Sequence, residues 1–558
     1  MQKERKLNEV EEFKDINDML EKASKEAGNK IAFKYKVNNE VVEVTYKDFQ
    51  NDTIYLGTGL HSLGIKDSHV AVIGENSYKW LTVYLTVLKS ENVLVPIDKE
   101  LPVQDIITVL KHSDSEVLFY SKKYEKYIDE LKENLPDFKY FIGFDVEEDS
   151  GIVLSYNNLI KKGKKLFEGG DNSYSSIKKS DLEKLKLLVY TSGTTGNAKG
   201  VMLSEHNLVA SIYYGLQSAC VQTTSLSVLP YHHTYEAVSG ILVALHKHCT
   251  ICINDNLKSV LKNLQLYKPD YIYLVPAFTE VFYKRIWSNA KESGKDKALK
   301  AMIKVSNGLR KVGIDLRRKL FKSVHDAFGG NLVEIVCGGA PIRPEVGNFF
   351  NDIGITLING YGITECSPLV SVNNPFFCND SSTVGFLLPC CDVKFENVTP
   401  DGDGEICVKG DIVMMGYYKN PELTAEVLKD GYFNTGDYGR FNDKKQLIIN
   451  GRKKNLIVLE NGKNVFPEEL ENYVMGIPYV QEVVVKGIKN EIGQETGLCA
   501  EVFLNEEKLK ELEITDSESE LKKDINAVCK DLPVYKHISK IEIRDTEFAK
   551  TTTNKIKR

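Results

Sequence analysis

Hydrophobic residues recur along the first part of this chain at two different spacings. Between residues 12 and 30 they follow the three- and four-residue spacing of an amphipathic helix, whereas apolar runs such as 69–73 are typical of short buried strands. In chain order, the predicted elements are helix 12–30, strands 31–36 and 41–45 joined by a turn at Asn38 and Asn39, helix 46–63, strand 69–73, helix 80–88, and strands 93–96 and 117–120. Strands that alternate with helices predict a parallel sheet that is covered on both faces.

The pattern changes farther along the chain. Residues 121–180 are charged and weakly patterned, which predicts peripheral helix and loop, and the short strands and turns from 385 to about 440 indicate a small β-barrel. After Lys454, a hairpin-like run, an amphipathic helix and further strands indicate a unit of roughly one hundred residues. We therefore predict a large α/β domain over residues 1–453 and a small α+β domain over residues 454–558.

Composition narrows the class of protein. The 558 residues, 42% of them hydrophobic, can bury more than one core, and the net charge of −6 argues against a nucleic-acid-binding protein. Eleven scattered cysteines give no disulfide framework and fit a reducing compartment. The amino terminus lacks the apolar stretch of a signal peptide, and no run reaches the length of a membrane span, so we expect a cytoplasmic protein.

Two cysteines in the middle of the chain have the spacing of a metal site. Cys249 and Cys252 form a CxxC pair, but no second pair matches them, and residues 248–253 alternate as a buried strand does. We expect a strand here rather than a zinc site.

The strongest chemical signal lies between a strand-like run at 187–190 and an apolar turn at 201–203. Glycines let backbone N–H groups approach a phosphate closely, hydroxyl side chains add short donors, and a lysine adds positive charge. The residues of this candidate polyphosphate loop are Thr191, Ser192, Gly193, Thr194, Thr195, Gly196 and Lys199. The spacing differs from that of a Walker loop, because Ala198 rather than glycine precedes the lysine.

Two further segments end predicted strands with glycines. In Gly338-Gly339-Ala340-Pro341, paired glycines after a strand allow a flat ring to lie against the backbone. In the segment 357–366, a glycine turn presents Tyr361, Gly362, Thr364 and Glu365 together. The aromatic ring can stack on a base, the hydroxyl can donate to a phosphate, and the single carboxylate can hold Mg²⁺ beside phosphate oxygens.

These three segments, YTSGTTGNAKG, GGAP and YGITE, stand in the order found in the adenylate-forming superfamily, which the chain resembles over nearly its whole length. That superfamily includes acyl-CoA synthetases, aryl-CoA ligases, peptide-synthetase adenylation domains and luciferases. The resemblance implies that Gly338 to Pro341 contact adenine, that Tyr361 stacks on it, and that Thr364 contacts the α-phosphate. It also implies a Mg²⁺ site at Glu365 with Thr191.

The resemblance extends to the carboxy-terminal part of the chain. It implies that Asp437 and Arg452 hold the ribose hydroxyls, that Lys454 is the hinge of a mobile lid, and that Lys555 is the catalytic lysine. Asn554 stands where the family usually has glycine, which is a departure from the pattern, although asparagine tolerates the left-handed conformation better than most residues.

The acid-binding residues have two interpretations. A histidine after a strand, such as His233, is more often a satisfied polar residue, and the small face around Gly240 could hold either a packed neighbour or an acyl chain. Pro-x-x-His with Glu236 three residues later resembles the acid-pocket entrance of the long-chain acyl-CoA synthetase branch. Thr234 occupies the position where peptide-synthetase domains place an aspartate, so an amino-acid substrate is disfavoured.

The resemblance implies an ATP-dependent ligase that converts a medium- or long-chain fatty acid, through acyl-AMP, to acyl-CoA. The alternatives are loading of an acyl carrier protein, activation of an aryl acid, and a non-catalytic nucleotide-binding protein. The basic helices expected at 278–327 are interpreted as a solvated face that could also meet CoA phosphates or an anionic membrane surface. The sequence does not fix the oligomeric state.

Overall fold

The computed structural model describes residues 5–178, 181–191, 199–491, 493–550 and 556. The chain forms two compact units. The first contains Met1–Asp392 and Lys409–Phe433, and the second contains Val393–Val408 and Asn434–Arg558. The region for which a small β-barrel is predicted therefore contributes to both units, and the predicted boundary at Lys454 stays a prediction.

Up to residue 120, the structure contains the helices and strands that the sequence pattern predicts, in the same order, together with α4. The helices are α1 Ile16–Ala27, α2 Tyr46–Ser62, α3 Tyr78–Lys89, α4 Val103–His112, α5 Ile128–Asn134, α6 Tyr156–Glu168, α7 Glu205–Ser218, α8 Val243–His246, α9 Val260–Tyr267, α10 Pro276–Glu292, α11 Asp296–Lys311, α12 Arg317–Leu320, α13 Lys322–Ala327, α14 Pro344–Ile353, α15 Pro421–Val427, α16 Pro467–Val474, α17 Glu506–Glu511 and α18 Ser517–Cys529. The strands are β1 Ile31–Val37, β2 Glu40–Thr45, β3 His69–Ile73, β4 Val93–Pro96, β5 Ser115–Tyr120, β6 Tyr140–Gly143, β7 Val153–Ser155, β8 Leu185–Thr191, β9 Lys199–Ser204, β10 Thr224–Ser227, β11 Thr250–Ile253, β12 Tyr271–Leu274, β13 Glu334–Cys337, β14 Thr356–Gly362, β15 Leu369–Val372, β16 Phe386–Leu387, β17 Cys391–Glu396, β18 Gly404–Gly410, β19 Gly416–Tyr417, β20 Leu428–Lys429, β21 Tyr432–Phe441, β22 Leu447–Arg452, β23 Ile457–Val458, β24 Asn464–Val465, β25 Val480–Lys489, β26 Glu495–Leu504 and β27 Lys540–Arg544.

Two sheets organise the first unit. One has the strand order β16-β15-β14-β13-β12-β10-β11-β1-β2, and the other has the order β19-β9-β8-β4-β3-β5-β6-β7. Strands β10 to β14 run parallel to one another, as do β3 to β7. The prediction of a parallel-sheet α/β fold is confirmed. The candidate zinc cysteines Cys249 and Cys252 are both buried, and Cys252 lies within β11.

Two local features differ from the sequence prediction. The region 121–180, for which only helix and loop are predicted, also contains β6 and β7, which extend the second sheet. Strands of four and three residues are too short for an alternating pattern to stand out beside charged neighbours. In addition, the helix that carries Gly240 begins as a π-helix over Tyr235–Leu242 before it continues as α8. Such wide turns are frequent at functional sites.

The second unit is an α+β structure. Strands β25, β26 and β27 form a sheet in which β25 and β26 are antiparallel and β27 runs parallel to β26. Apolar side chains from this sheet pack with those of α16 and α18, which gives this unit a core of its own. A further sheet of the chain has the order β17-β18-β21-β20, with β22 beside β21.

Candidate active site

The polyphosphate loop connects two antiparallel strands. Thr191 at the end of β8 is paired with Lys199 at the start of β9, so the two ends of the loop face each other. The predicted loop residues Ser192, Gly193, Thr194, Thr195 and Gly196 lie outside the described residues, and so does the predicted catalytic Lys555. The Tyr190 hydroxyl, one residue before the loop, lies 2.7 Å from Nδ1 of His112.

A tyrosine that the sequence analysis missed joins two predicted site residues. The Tyr417 hydroxyl donates a hydrogen bond of 2.9 Å to Oε1 of Glu365, and the Lys199 ammonium lies 5.5 Å from the centre of the Tyr417 ring. Burial, and then the charge of Glu365, raise the pKa of Tyr417, so its phenol stays protonated and remains a donor. The polyphosphate loop and the YGITE segment are therefore held together by one aromatic side chain.

The position of Tyr417 follows from strand pairing. Gly416 and Tyr417 form β19, which pairs antiparallel with β9, so that Tyr417 lies opposite Val201. Gly416 has a φ of 141°, and a Cβ at this position would lie only 2.7 Å from Cγ2 of Thr424. The backbone amide of Met414 donates to the carbonyl of Glu365 at 2.9 Å, which fixes the same segment. The sequence signal is the dipeptide Gly-Tyr after an apolar run, which is too common to identify a site.

The glycine of the YGITE segment, Gly362, is explained by close backbone packing. Strand β14 ends at Gly362, where an added Cβ would lie 2.4 Å from the carbonyl oxygen of Pro368. The ring of Tyr361 is largely buried, and Thr364 begins a short 3₁₀ turn that carries Glu365. Any larger residue at Gly362 would push β14 and β15 apart at this point.

The GGAP segment lies beside the YGITE segment. Strands β13 and β14 are parallel neighbours. Gly338 directly follows β13, and Gly360 lies among the last residues of β14. A Cβ at Gly338 would lie 3.3 Å from the carbonyl oxygen of Gly360 and 3.4 Å from the ring of Tyr235. Gly339 has a φ of 83°, and it is exposed together with Ala340 and Pro341. The carboxyl ends of adjacent parallel strands are where open α/β sheets bind ligands.

A cavity begins between these two segments. It has a volume of about 80 Å³, is open at its mouth, and is lined mostly by apolar atoms. It follows the face of the sheet under α7 and the π-helix. Its lining residues are Ser211, Gly215, Leu216, Ala219, Cys220, Val221, Tyr235, Ser239, Val243, Tyr273, Val336, Cys337, Gly338, Gly339, Gly360, Tyr361, Gly362, Pro368, Leu369 and Val372. Two segments predicted to contact a nucleotide thus share one space with a largely apolar pocket.

The predicted acid-pocket residues His233, Glu236 and Gly240 lie next to this lining and are not part of it. The imidazole rings of His232 and His233 lie 4.0 Å apart, and Nε2 of His232 is 3.5 Å from a carboxylate oxygen of Asp98. Burial, and then the neighbouring His233, lower the pKa of His232 to about 3, so this ring is neutral. Tyr235 and Ser239, which lie between the predicted residues in the sequence, line the cavity.

Glu236 is a buried carboxyl group. It accepts a hydrogen bond from the Ser227 hydroxyl, while its Oε2 has no hydrogen-bond partner among the described residues. Burial raises its pKa to about 8, so the group is mostly neutral at pH 7. A Cβ at Gly240 would lie 3.0 Å from the Glu236 carboxyl carbon, so here glycine makes room for the carboxyl group.

In the second unit, the predicted ribose-binding residues lie opposite each other. Asp437 on β21 is paired with Arg452 on β22, and Nε of Arg452 is 3.1 Å from Oδ1 of Asp437. The Asp437 carboxylate is buried, whereas half of the Arg452 side chain is exposed. Lys453 pairs with Glu405 at 2.6 Å, and Lys454 lies in the 3₁₀ turn Lys453–Asn455. The turn is consistent with a hinge, which stays a prediction.

The residues around Glu365 fit a magnesium ion better than a transition metal. Among the described residues, no group of three His, Cys, Asp or Glu side chains could hold a metal by itself. Magnesium prefers one or two carboxylates, with phosphate oxygens and water completing its shell. Glu365 is partly exposed and has one oxygen bonded to Tyr417, which leaves the other oxygen for such an ion.

The fold and the cavity define an α/β protein with a ligand site at the carboxyl ends of a parallel sheet, where glycine-rich segments meet a largely apolar pocket. The chain belongs to the family of AMP-binding enzymes, whose model matches residues 20–418. Membership of this family makes it a ligase that activates a carboxylic acid by adenylation with ATP.

Several relatives are named for their activity. The chain is 28% identical over 503 residues to the long-chain-fatty-acid–CoA ligase FadD15 of Mycobacterium bovis, covering 86% of this chain and 81% of the relative. It is 27% identical over 549 residues to the chloroplastic long-chain-fatty-acid–[acyl-carrier-protein] ligase AEE15 of Arabidopsis thaliana, covering 85% and 75% respectively. The crystal structure of the anthranilate CoA ligase AuaEII shares the fold with a TM-score of 0.77 at 19% identity, covering 98% of this chain and 96% of that one.

No helix in the described part of the chain combines the length and the apolar character that crossing a membrane requires.

Proposed function

We propose that this protein is a cytosolic acyl-CoA synthetase that activates a medium- or long-chain fatty acid with ATP. The acid would be converted to acyl-AMP with release of pyrophosphate, and then to acyl-CoA with release of AMP. The activities of the fatty-acid ligases that it resembles support this substrate class.

The observation that carries the proposal is the shared cavity. One end is bounded by Gly338, Gly339 and Tyr361, and from there the cavity continues between α7, the π-helix and the sheet. An acid whose carboxylate lies at the glycine end would place its acyl chain along the apolar wall. A pocket that served a nucleotide alone would not need this extension.

In the first half-reaction, a carboxylate oxygen of the acid attacks the α-phosphorus of ATP, and the bond to pyrophosphate breaks as the new bond forms. Negative charge on the phosphoryl oxygens has to be stabilised by positive charge and hydrogen-bond donors. Lys199, Thr364 and Lys555 are assigned this role. The Tyr417 hydroxyl holds Glu365 in position at this end of the cavity.

A magnesium ion bound by Glu365 with Thr191 would neutralise phosphate charge when present. Asp437 and Arg452 are assigned to the ribose, since a buried carboxylate beside a half-exposed guanidinium offers both an acceptor and donors to vicinal hydroxyls.

In the second half-reaction, the thiol of CoA attacks the acyl carbonyl, its proton leaves, and AMP departs with the bonding electrons. We assign the change between half-reactions to rotation of the carboxy-terminal lid about Lys454. This rotation would remove Lys555 from the phosphoryl centre and open a path for the thiol.

The proposal is tested by ATP–pyrophosphate exchange with a panel of even-chain fatty acids from eight to eighteen carbons, together with aryl acids and amino acids. Fatty acids should support exchange, and CoA should then yield the thioester. Exchange with aryl acids alone would reassign the substrate, whereas failure of every acid to support exchange would refute adenylation.

Transfer to an acyl carrier protein is the second candidate, because one of the relatives is a ligase for that acceptor. Comparing free CoA with a purified carrier protein, each at matched concentrations after acyl-AMP has formed, decides between the two acceptors.

A further inference from the structure

A buried carboxyl group, that of Glu334, lies near the end of the cavity remote from its glycines. Strands β12 and β13 are parallel neighbours in which Tyr273 lies opposite Val336, and both of these residues line the cavity. Side chains two residues apart on a strand point to the same face of the sheet. Glu334, two residues before Val336, therefore lies on the cavity face, about 7 Å nearer the amino end of the strand.

Glu334 is buried at this end. Its exposed fraction is 4%, and its Oε2 accepts a hydrogen bond of 3.2 Å from the side-chain amide of Gln222. Its Oε1 has no hydrogen-bond partner within the part of the chain that the structure describes. A buried carboxyl oxygen without a partner is unfavourable, and a ligand that donates to it would remove that penalty.

The cavity wall reaches Glu334 from the other side as well. Cys220 and Val221 line the cavity, and the next residue, Gln222, is the one that donates to Glu334. Burial, and then the charge of Glu334, raise the pKa of the Cys220 thiol, and the same two causes, in the same order, raise the pKa of Tyr273. The carboxyl group is therefore close to two side chains of the wall.

We propose that Glu334 forms a polar end to the acyl cavity and selects acids that carry a hydroxyl group at the end remote from the carboxylate. This inference rests on the proposed function and narrows its substrate class. A hydroxyl is favoured over an ammonium group because a neutral donor loses less hydration when it enters an apolar cavity.

The geometry adds a length requirement. The first cavity glycine, Gly338, follows Glu334 by four residues along an extended strand, a span of about 13 Å. Only an acyl chain of one length can place its carboxylate at the glycine end and its hydroxyl at Glu334. The advantage of the hydroxyl group should therefore be confined to a narrow range of chain lengths.

The experiment compares each unsubstituted acid from eight to sixteen carbons with its ω-hydroxy counterpart by ATP–pyrophosphate exchange. At the matching length, kcat/KM for the hydroxy acid should exceed that for the plain acid by about tenfold or more, because a site built around a hydrogen bond discriminates against a ligand that lacks it. Acids with the hydroxyl near the carboxylate control for general polarity and should show no such advantage.

Two variants assign the effect to Glu334. Glu334→Leu should abolish the preference for the hydroxy acid while retaining exchange with the plain acid. Glu334→Gln keeps a hydrogen-bonding side chain of similar size and should retain part of the preference. Glu205→Gln, a buried carboxyl at the opposite end of α7, is the matched control and should leave the ratio of the two kcat/KM values unchanged.

If the wild-type enzyme uses plain acids as well as or better than hydroxy acids at every length, the inference is wrong, and Glu334 serves only to hold Gln222. That result would leave the proposed function intact, whereas the absence of exchange with both series would refute the proposed function itself. If Glu334→Leu does not fold, the wild-type ratios and Glu334→Gln still decide the question.

Discussion

The two ends of the cavity are built in different ways. At the glycine end, the wall comes from short stretches of sequence, Gly338-Gly339 and Gly360–Gly362, each at the carboxyl end of a strand. At the far end, the wall is assembled from single residues of α7, the π-helix and three strands, with Glu334 beyond them. Backbone contacts with a ligand therefore depend on short, contiguous glycine segments, whereas the shape of the cavity depends on residues that are far apart in the sequence.

The largest effect is expected from Lys555→Ala, which tests the part of the mechanism that rests on sequence alone. Loss of a charge that stabilises the phosphoryl transition state should reduce adenylation by about 10²–10³-fold. Thioester formation from supplied acyl-AMP should continue, because that step does not need the lysine. Both half-reactions are measured separately, by pyrophosphate exchange and by release of AMP from acyl-AMP and CoA.

The control for this experiment is a variant of another lysine near the carboxy terminus, Lys550. Lys550 forms ion pairs with Glu482 and Glu547, and Lys550→Ala should leave both half-reactions near the wild-type rate. If Lys555→Ala reduces both half-reactions equally, the proposal that Lys555 acts in adenylation and not in thioester formation is wrong.

Much of the glycine end could be predicted from sequence. The strands that end at Cys337 and Gly362 are recognisable from their apolar runs, and glycine at the end of a strand indicates that a ligand or another backbone approaches closely. Tyr417 could not be predicted, because its contact with Glu365 depends on pairing between β19 and β9, more than two hundred residues apart. Nothing within either segment signals that pairing.

The far end is harder to predict. The sequence pattern leaves open whether the space beside Gly240 holds a packed neighbour or an acyl chain. In the structure a Cβ at Gly240 would meet Glu236, and the cavity is lined by Tyr235 and Ser239 of the same helix. The π-helix over Tyr235–Leu242 changes which residues share a face, so a count of 3.6 residues per turn could not predict which of them line the cavity.

The next largest effect is expected from Tyr417→Phe. This change removes the hydroxyl group of Tyr417 and with it a hydrogen bond to the Glu365 carboxylate. Hydrogen bonds to charged groups contribute about 1.5–3 kcal/mol, so adenylation should slow by roughly tenfold or more. The ring remains to pack against Lys199. Exchange measured against Mg²⁺ concentration should show that the variant needs more of the ion, since Glu365 is no longer held in place.

Tyr418→Phe is the matched control, because that phenol donates to Asp114 on the exposed side of the same segment. If both variants lose activity equally, and neither changes the Mg²⁺ requirement, Tyr417 stabilises the strand and does not position Glu365.

A smaller effect is expected at the wall, where Gly215→Val would narrow the cavity. A Cβ at this position of α7 would lie 3.6 Å from Cδ2 of Leu369, so alanine fits, whereas the additional methyl groups of valine have to project into the cavity. Activity with the longest accepted acids should fall by about tenfold, while shorter acids should be little affected, as measured by kcat/KM across the acid panel.

Gly215→Ala provides the comparison. Alanine in a helix is about 0.8–1 kcal/mol more favourable than glycine, so this variant should be slightly more stable than wild type and keep most of its chain-length range. Equal losses for short and long acids in the valine variant would indicate a distorted helix and not a shortened cavity.

The smallest effect concerns the stability of the wall at Glu236. Burial raises the pKa of this carboxyl group to about 8 from its ordinary value of 4.5, so the folded protein holds a proton here that the unfolded chain releases above pH 4.5. The contribution of Glu236 to the unfolding free energy should therefore be greatest below pH 4.5 and decline as the pH rises toward 8. Glu236→Gln removes the titrating proton, so its melting temperature should decline less steeply between pH 5 and 8. Burial also raises the pKa of Glu334, to about 7. Because Glu334 is present in both proteins, it contributes a similar decline to each melting curve and does not account for a difference between them. Parallel melting curves for the variant and the wild type over this range would show that Glu236 is not protonated in the folded protein.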